Sequence, residues 1–175
     1  LSIAAIDSLF VITNYIFAHE TLQQSLNDKS ISDYSVFKTT EEATYNGLAM
    51  QAAFFSDDSQ IQELFLYGKK ALEFEGGGSG GVRTALLRNE LYQLVALPWK
   101  NAAKKFDIRH FHFHFQLGSE ILSYLRVHQP DKFGDSLNKL RFLIVDASIE
   151  QTPKSGFETG RASSGLRSAV PVFAL

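Results

Sequence analysis

Apolar side chains recur at three- and four-residue steps through the first hundred residues, a period typical of helices buried on one side. The opening stretch, residues 1 to about 27, has this period, and further apolar positions widen the apolar stripe that it defines. Asn27 and Asp28 predict where this first helix ends. The apolar positions that define it are Ile3, Ile6, Phe10 and Phe17, widened by Leu9, Ile12 and Ile16.

Two further helices are predicted before residue 77. Thr39, followed three residues later by Glu42, fits a capping box, in which each side chain bonds a free backbone amide at the helix start. This box predicts a second helix that ends near residue 55. A third is predicted from Ser59 to Gly76, because glycine commonly terminates helices.

The run of residues 76–81 is rich in glycine and predicts a loop. It does not match a phosphate-binding P-loop, because no strand precedes it and no Gly-Lys-Ser/Thr follows it. A fourth helix is predicted over 82–104. Pro98 is expected to kink or interrupt this helix, since proline lacks a backbone N–H.

After residue 105 the period changes from 3.6 to 2, which favours strands. Strands are predicted over 108–115 and 121–128, followed by a helix over 135–150. A second hairpin is predicted over 156–163 and 166–173. Because helices come first and antiparallel strands follow, the fold class is α+β.

Length and composition predict one domain over residues 1–175, with a formal net charge of −2 and no cysteine. The small charge gives no electrostatic footprint for nucleic acid, and the lack of cysteine excludes disulfides and thiolate metal sites. No apolar run of about 18 residues and no signal peptide is visible in the given sequence, as expected of a domain cut from its flanking segments. Because the chain begins with Leu1 and ends in the apolar run 171–175, we expect a fragment of a longer protein.

The most unusual segment alternates histidine and phenylalanine over residues 110–115. On a strand, the three histidines share one face and the three phenylalanines the other, which is the core face. The histidine face allows three interpretations: a zinc or iron site with His128 or Glu120 as a further ligand, the wall of a ligand pocket, or a structural strand face. We expect no tightly bound metal, because no acidic residue lies at a compelling spacing.

A second group of polar side chains lies on the next predicted strand. Tyr124, Arg126 and His128 share one face if that strand is regular. Arg126 either clamps a carboxylate or phosphate of a ligand or pairs with Asp131 or Asp135. The sequence alone leaves both alternatives open.

Catalytic signatures are weak. No Gly-x-Ser-x-Gly motif is present, and no carboxylate pair stands out. Glu158 and Arg161 either pair with each other across Gly160 or contact a ligand. We therefore predict that the chain is not an enzyme.

Several strings in residues 76–175 together resemble Cache sensor domains. They are the run 112–114, then 123–128 with 130–135, and near the end 156–161, 165–167 and 170–172. Such domains lie outside the cytoplasmic membrane in chemotaxis receptors, sensor kinases and diguanylate cyclases. The resemblance implies a PAS-like antiparallel sheet over 76–175, with a long N-terminal helix and helical layer over 1–75.

The resemblance also implies a function, which is to sense a small ligand, without a cofactor, in the periplasmic part of an inner-membrane receptor. A methyl-accepting chemotaxis protein is the first expectation, and a diguanylate cyclase or histidine kinase the next. Flanking segments would provide the membrane anchor, and the first helix would pair with its copy in a homodimer. The implied ligand-binding residues are His112, His114, Tyr124, Arg126, His128 and Asp131.

Two other functions compete with ligand sensing. One is a metal-dependent enzyme that uses the His-x-His strand and needs a third ligand and an open coordination position. The other is an interaction domain that acts through its first helix and binds no small molecule. The sequence names neither the ligand nor the output module.

Overall fold

The computed structural model describes residues 3–160 and 164–173, with side chains from residue 14 onward. The chain divides into two compact units, Leu1–Thr44 and Tyr45–Leu175. Within the described ranges it forms four helices and four strands, in agreement with the α+β prediction. In chain order they are α1 (Ile3–Ser56), α2 (Ser59–Phe74), α3 (Val82–Phe106), β1 (His112–Leu117), β2 (Glu120–Arg126), α4 (Phe142–Glu150), β3 (Lys154–Thr159) and β4 (Ser164–Ala169).

Helix α1 is continuous, so the predicted break at Asn27 and Asp28 is wrong. The predicted capping box is wrong as well: the Thr39 hydroxyl donates to the Ser35 carbonyl at 2.9 Å, a bond that belongs to a helix interior. Asn and Asp cost a helix less than about 1 kcal/mol each, whereas proline costs about 3 kcal/mol. The first proline is Pro98, so the chain has no strong breaker in this region.

The side chains of α1 are exposed from residue 14 to residue 40. Those predicted to form its inner stripe at Ile3, Ile6, Leu9, Phe10 and Ile12 lie outside the described side chains. Among the described positions, the large apolar residues that α1 exposes in this stretch are Tyr15, Ile16, Phe17, Leu22, Leu26, Ile31, Tyr34, Val36 and Phe37.

Helices α2 and α3 agree with the predicted third and fourth helices. Helix α2 begins after Asp58, whose carboxylate accepts hydrogen bonds from two amides of the first turn. It ends before Gly76, which has a φ of +89° that glycine adopts without strain. Helix α3 continues past Pro98 to Phe106, so of the two predicted effects of this proline, a kink or an interruption, the interruption is wrong.

The Gly-rich loop between α2 and α3 is organised by Glu75. Its carboxylate accepts hydrogen bonds from the amides of Gly81, Arg83 and Thr84 at 2.8 to 3.0 Å, and from the Thr84 hydroxyl at 2.6 Å. These bonds lower the pKa of Glu75 to about 2, the Thr84 hydroxyl contributing most. Glu75 therefore caps α3 from across the loop.

The first hairpin pairs β1 with β2 in antiparallel register. Strand β1 begins at His112, four residues later than predicted. The segment 134–138 pairs along the other edge of β2: the Ser123 amide donates to the Asp135 carbonyl at 3.0 Å, and the Leu137 amide donates to the Ile121 carbonyl at 2.8 Å. The predicted helix at 135–150 therefore starts later, at Phe142, because this edge pairing holds residues 135–137 along β2.

Strands β3 and β4 form the second antiparallel hairpin, as predicted for residues 156–163 and 166–173, with bounds shifted toward the N-terminus. The four named strands form two two-stranded sheets, β1–β2 and β3–β4. Helix α4 packs against the second hairpin. The resemblance implied one PAS-like antiparallel sheet over 76–175, and for the described residues the expectation that these strands share one sheet is wrong.

The core of the second unit lies between α2, α3 and one face of β1–β2. Phe113 and Phe115 point into it, as the His/Phe alternation predicted, and the Phe65 ring of α2 lies 4.4 Å from the Phe115 ring. The buried residues that share this core are Ile61, Leu72, Leu91, Val95, Phe113, Phe115, Leu122, Tyr124, Leu125 and Val127.

Candidate functional site

The opposite face of β1–β2 carries four imidazoles, which we call the histidine face: His110, His112, His114 and His128. The His112 ring stacks on the His128 ring with centroids 4.7 Å apart, and the His110 and His128 centroids are 4.6 Å apart. The His112 and His114 centroids are 5.4 Å apart. Alternation along β1 places His112 and His114 together, and pairing of the two strands adds His128.

A β-bulge decides which residues of β2 join this face. The register runs from Phe113 opposite Leu125 to His114 opposite Ser123, so Tyr124 is the extra residue. Its ring lies 4.1 Å from the Phe115 ring, in the core. The prediction that Tyr124, Arg126 and His128 share one face required a regular strand, and for Tyr124 it is wrong.

Arg126 lies opposite His112 and therefore on the histidine face. Its guanidinium donates to the Lys132 carbonyl at 2.7 Å and pairs with the Asp135 carboxylate at 2.8 Å. Of the two alternatives for Arg126, the pairing with Asp135 is the one observed. Arg126 thus holds the 127–135 turn against β2.

Asp131 is exposed in that turn. None of the contacts described for the four imidazoles involves its side chain. Of the six sequence-predicted residues, the histidine face brings together His112, His114, Arg126 and His128. Tyr124 lies on the core side of the sheet and Asp131 on the surface of the turn.

Burial makes the histidine face a neutral one. Burial, followed by the charges of Arg126 and Arg141, lowers the pKa of His114 to about 3. Burial also lowers the pKa of His128 to about 4 and the pKa values of His110 and His112. Removing a cation from water costs more than removing a neutral ring, so these imidazoles are uncharged near pH 7.

Three ring nitrogens of this face are buried without a hydrogen-bond partner. They are His112 Nε2, His114 Nε2 and His128 Nδ1. A buried polar atom that lacks a partner costs about 1–3 kcal/mol, so native cores pair nearly all such atoms. The three nitrogens on this face leave several hydrogen-bond donors and acceptors unused within one small region.

Two further arginines were not predicted from the sequence. Arg141, just before α4, and Arg167, on β4, approach the Glu158 carboxylate at 3.7 and 3.6 Å. Glu158 is 8% exposed and also accepts a hydrogen bond from the Leu143 amide at 2.9 Å. Its predicted alternative partner, Arg161, lies outside the described residues.

This group is electrostatically linked to the histidine face. The charges of Arg167 and Arg141 are, after burial, the next largest causes that lower the pKa of His110. A hydrogen bond between Ser148 of α4 and Gln116 of β1 joins the two parts of the unit. The only sequence signal for Arg141 was its place before the apolar run 142–145, where a helix begins.

Two surface grooves lie on the second unit, and one of them borders the histidine face, since the centroid of the Trp99 ring in its wall is 6.4 Å from that of His128. One, of about 420 Å³, runs between α2 and α3 and has Leu64, Tyr67 and Leu94 in its wall. The other, of about 230 Å³, has Trp99 and Val127 in its wall. No histidine lines either groove, and the polar side chains in the wall of the first are Gln60, Glu63, Tyr67 and Glu90.

Among the described residues, no group of three or more His, Cys, Asp or Glu side chains is arranged to hold a metal ion. The four imidazoles of the histidine face lie close together without forming such a group. Nothing in this arrangement favours the metal-dependent enzyme over the other candidates.

No protein-family model, curated protein or solved structure matches this chain. Within the described part of the chain, no helix has an apolar stretch long enough to cross a membrane.

Proposed function

We propose that the chain is a sensor module that binds a small ligand at the histidine face and catalyses no reaction. One observation carries this proposal: three buried imidazole nitrogens on one sheet face have no hydrogen-bond partner. A purely structural cluster would satisfy these atoms internally, because unpaired buried polar groups destabilise the fold. A polar ligand would supply the missing partners.

The residues proposed to contact the ligand are His112, His114 and His128. Arg126 contributes by fixing the turn that borders them, through Lys132 and Asp135. Neutral imidazoles suit a binding site, since each ring offers one donor and one acceptor. This assignment retains three of the six residues implied by the Cache resemblance and removes Tyr124, Arg126 and Asp131 from direct contact.

The wider setting is also a proposal and rests on the Cache resemblance. In it the sheet face, α4 and the hairpin β3–β4 correspond to a PAS-like sensory fold. The chain would be the periplasmic part of a transmembrane receptor, with a methyl-accepting chemotaxis protein first and a diguanylate cyclase or histidine kinase next. Flanking segments would provide the membrane anchor.

We further propose that α1 pairs with α1 of a second copy. On an ideal helix, five of the nine exposed apolar residues, Tyr15, Leu22, Leu26, Val36 and Phe37, fall within a sector of about 100° that also contains Lys29 and Asp33. All five are exposed. Because a homodimer with two-fold symmetry presents the same stripe from both partners, a single apolar stripe is sufficient for it.

A thermal-shift screen of amino acids, organic acids and polyamines tests ligand binding. A compound that binds only the folded state raises Tm, by the equivalent of about 2.7 kcal/mol at 100 times its Kd. The hit should lose its effect in H112Q and H114Q and keep it in H19Q, which alters an exposed histidine of α1. A hit that survives both substitutions in the histidine face would refute this site.

A further inference from the structure

The guanidinium of Arg141 is largely buried but incompletely hydrogen-bonded. Its side chain is 19% exposed, and its nearest acid, Glu158, is 3.7 Å away, which is too far for a hydrogen bond. Its buried Nη1 atom has no hydrogen-bond partner. A guanidinium has five N–H donors, and burying one with its donors unused is costly.

Glu158 is too far from Arg141 to hydrogen-bond its guanidinium, and its carboxylate also interacts with other groups. Its Oε1 accepts from the Leu143 amide at 2.9 Å, and its Oε2 also faces Arg167 at 3.6 Å. The carboxylate thus divides its charge between a helix amide and two guanidiniums. Arg126 provides the contrast, since its guanidinium makes close bonds to Asp135 and to the Lys132 carbonyl.

Arg141 lies at the start of α4, the helix whose Ser148 donates a hydrogen bond to Gln116 on the same face of β1 as His112 and His114. Its charge contributes to the lowered pKa values of His110 and His114. Unpartnered nitrogens at His112 and His114 therefore lie in the same polar region as the unpartnered Nη1. These groups together offer one strong charged donor and several neutral donors.

We propose that Arg141 is the anion-binding residue of the site and that the ligand is a small carboxylate. One carboxylate oxygen would accept from Arg141 Nη1, and the other from the Nε2–H of His114 or His112. A single negative charge suits one incompletely paired guanidinium beside neutral rings, and the planar fork of arginine matches a carboxylate. This inference rests on the proposed function and names its ligand class.

The test compares isosteric probes by NMR on ¹⁵N-labelled protein. Acetate and propanoate are each titrated into the protein, and acetamide, propanamide, propylamine and inorganic phosphate are titrated separately for comparison. In each titration the NMR signals of the ring nitrogens of His112 and His114 are followed. The carboxylates should shift these signals in a saturable manner, and the amides and the amine should not. Stronger binding of phosphate than of carboxylates would overturn the assignment to a carboxylate.

Variants identify the residue. R141Q should weaken propanoate binding about tenfold or more, the usual effect of losing a charge-assisted hydrogen bond. R83Q, which removes an equal charge from an exposed position on α3, should not change it. If R141Q does not fold, R141K keeps the charge and loses the fork, and it should bind propanoate more weakly than the parent protein.

The outcomes separate this inference from the proposed function. Equal binding of propanoate and propanamide, or unchanged propanoate affinity in both Arg141 variants, would overturn the role of Arg141 and leave a ligand site at the histidine face. A lack of response to every probe, together with a thermal-shift screen without a hit, would overturn the proposed function itself.

Discussion

At the scale of single residues, the histidine face depends on the protonation of its rings. His114 and His128 have folded-state pKa values of about 3 and about 4, against 6.5 for the free side chain. The unfolded chain therefore binds more protons than the folded chain between pH 6.5 and these values. The protein therefore loses stability as the pH falls below 6.5.

We expect the free energy of unfolding to decrease between pH 6.5 and pH 4.5, with a contribution from His114 of up to about 1.4 kcal/mol per pH unit. The contribution of the less buried His128 is smaller because solvent screens it. Urea unfolding at several pH values should show that the free energy of unfolding depends less steeply on pH in H114Q than in the parent protein. H19Q should have the same pH dependence as the parent protein. An equal slope in H114Q would mean that folding does not lower the pKa of His114.

At the scale of elements, the contact of α2 with the sheet depends on Gly68. A Cβ at this position would lie 2.5 Å from Tyr124 Oη and 2.9 Å from Tyr124 Cζ. Tyr124 is 2% exposed and its ring contacts those of Phe65 and Phe115, so moving it requires other core side chains to move. Close packing of α2 on the sheet therefore requires glycine here.

Alanine normally stabilises a helix relative to glycine by about 0.5–1 kcal/mol. We expect G68A to destabilise the protein instead, by about 1–3 kcal/mol, because overpacking outweighs helix propensity. Gly47 in α1 is the matched control, since a Cβ there meets nothing within 4 Å. G47A should raise the urea midpoint, and a rise for G68A as well would show that α2 lies farther from Tyr124.

The start of α3 depends on a side chain from the preceding helix. Replacing Glu75 by Gln removes the negative charge that four donors share, so we expect E75Q to lower Tm at pH 7. Amide exchange at Gly81, Arg83 and Thr84 should accelerate in E75Q. E63Q, an equal change at an exposed position of α2, should leave both measurements unaltered.

Acid should have a related effect through the same carboxylate. Because the folded-state pKa of Glu75 is lowered to about 2, its stabilising contribution is complete above pH 4.5 and is lost as the pH falls toward 2. The difference in Tm between E75Q and the parent protein should therefore shrink across this interval. A constant difference would show that the cap does not depend on charge.

At the scale of the whole molecule, the exposed apolar residues of α1 determine the expected assembly. We expect a homodimer with a dissociation constant of micromolar order, which corresponds to a binding free energy of about −8 kcal/mol. L22E and L26E place a charge in the apolar sector and should yield monomers. Q24E adds a charge on the opposite side of α1 and should not. Sedimentation at several concentrations measures all three, and a monomeric parent at high micromolar concentration would refute the dimer.

The sequence determined the fold class, the places of α2 and α3, and the core face of β1. These features follow from local periods: alternation placed Phe113 and Phe115 inward whatever the neighbouring elements were. Local signals were less reliable at Asn27 and Thr39, where weak helix-ending residues lie in a chain without a proline before Pro98. The α1 continuity was therefore not predictable from cap residues.

Tertiary structure alone decided the composition of the candidate site. The bulge at Tyr124 arises from pairing between two strands, so it turned this residue into the core while Arg126 and His128 kept their predicted face. Arg141, Glu158 and Arg167 meet only because α4 and the second hairpin pack together. A periodic pattern specifies which way a side chain points on its own element, whereas contacts between distant segments depend on the packing of the whole unit.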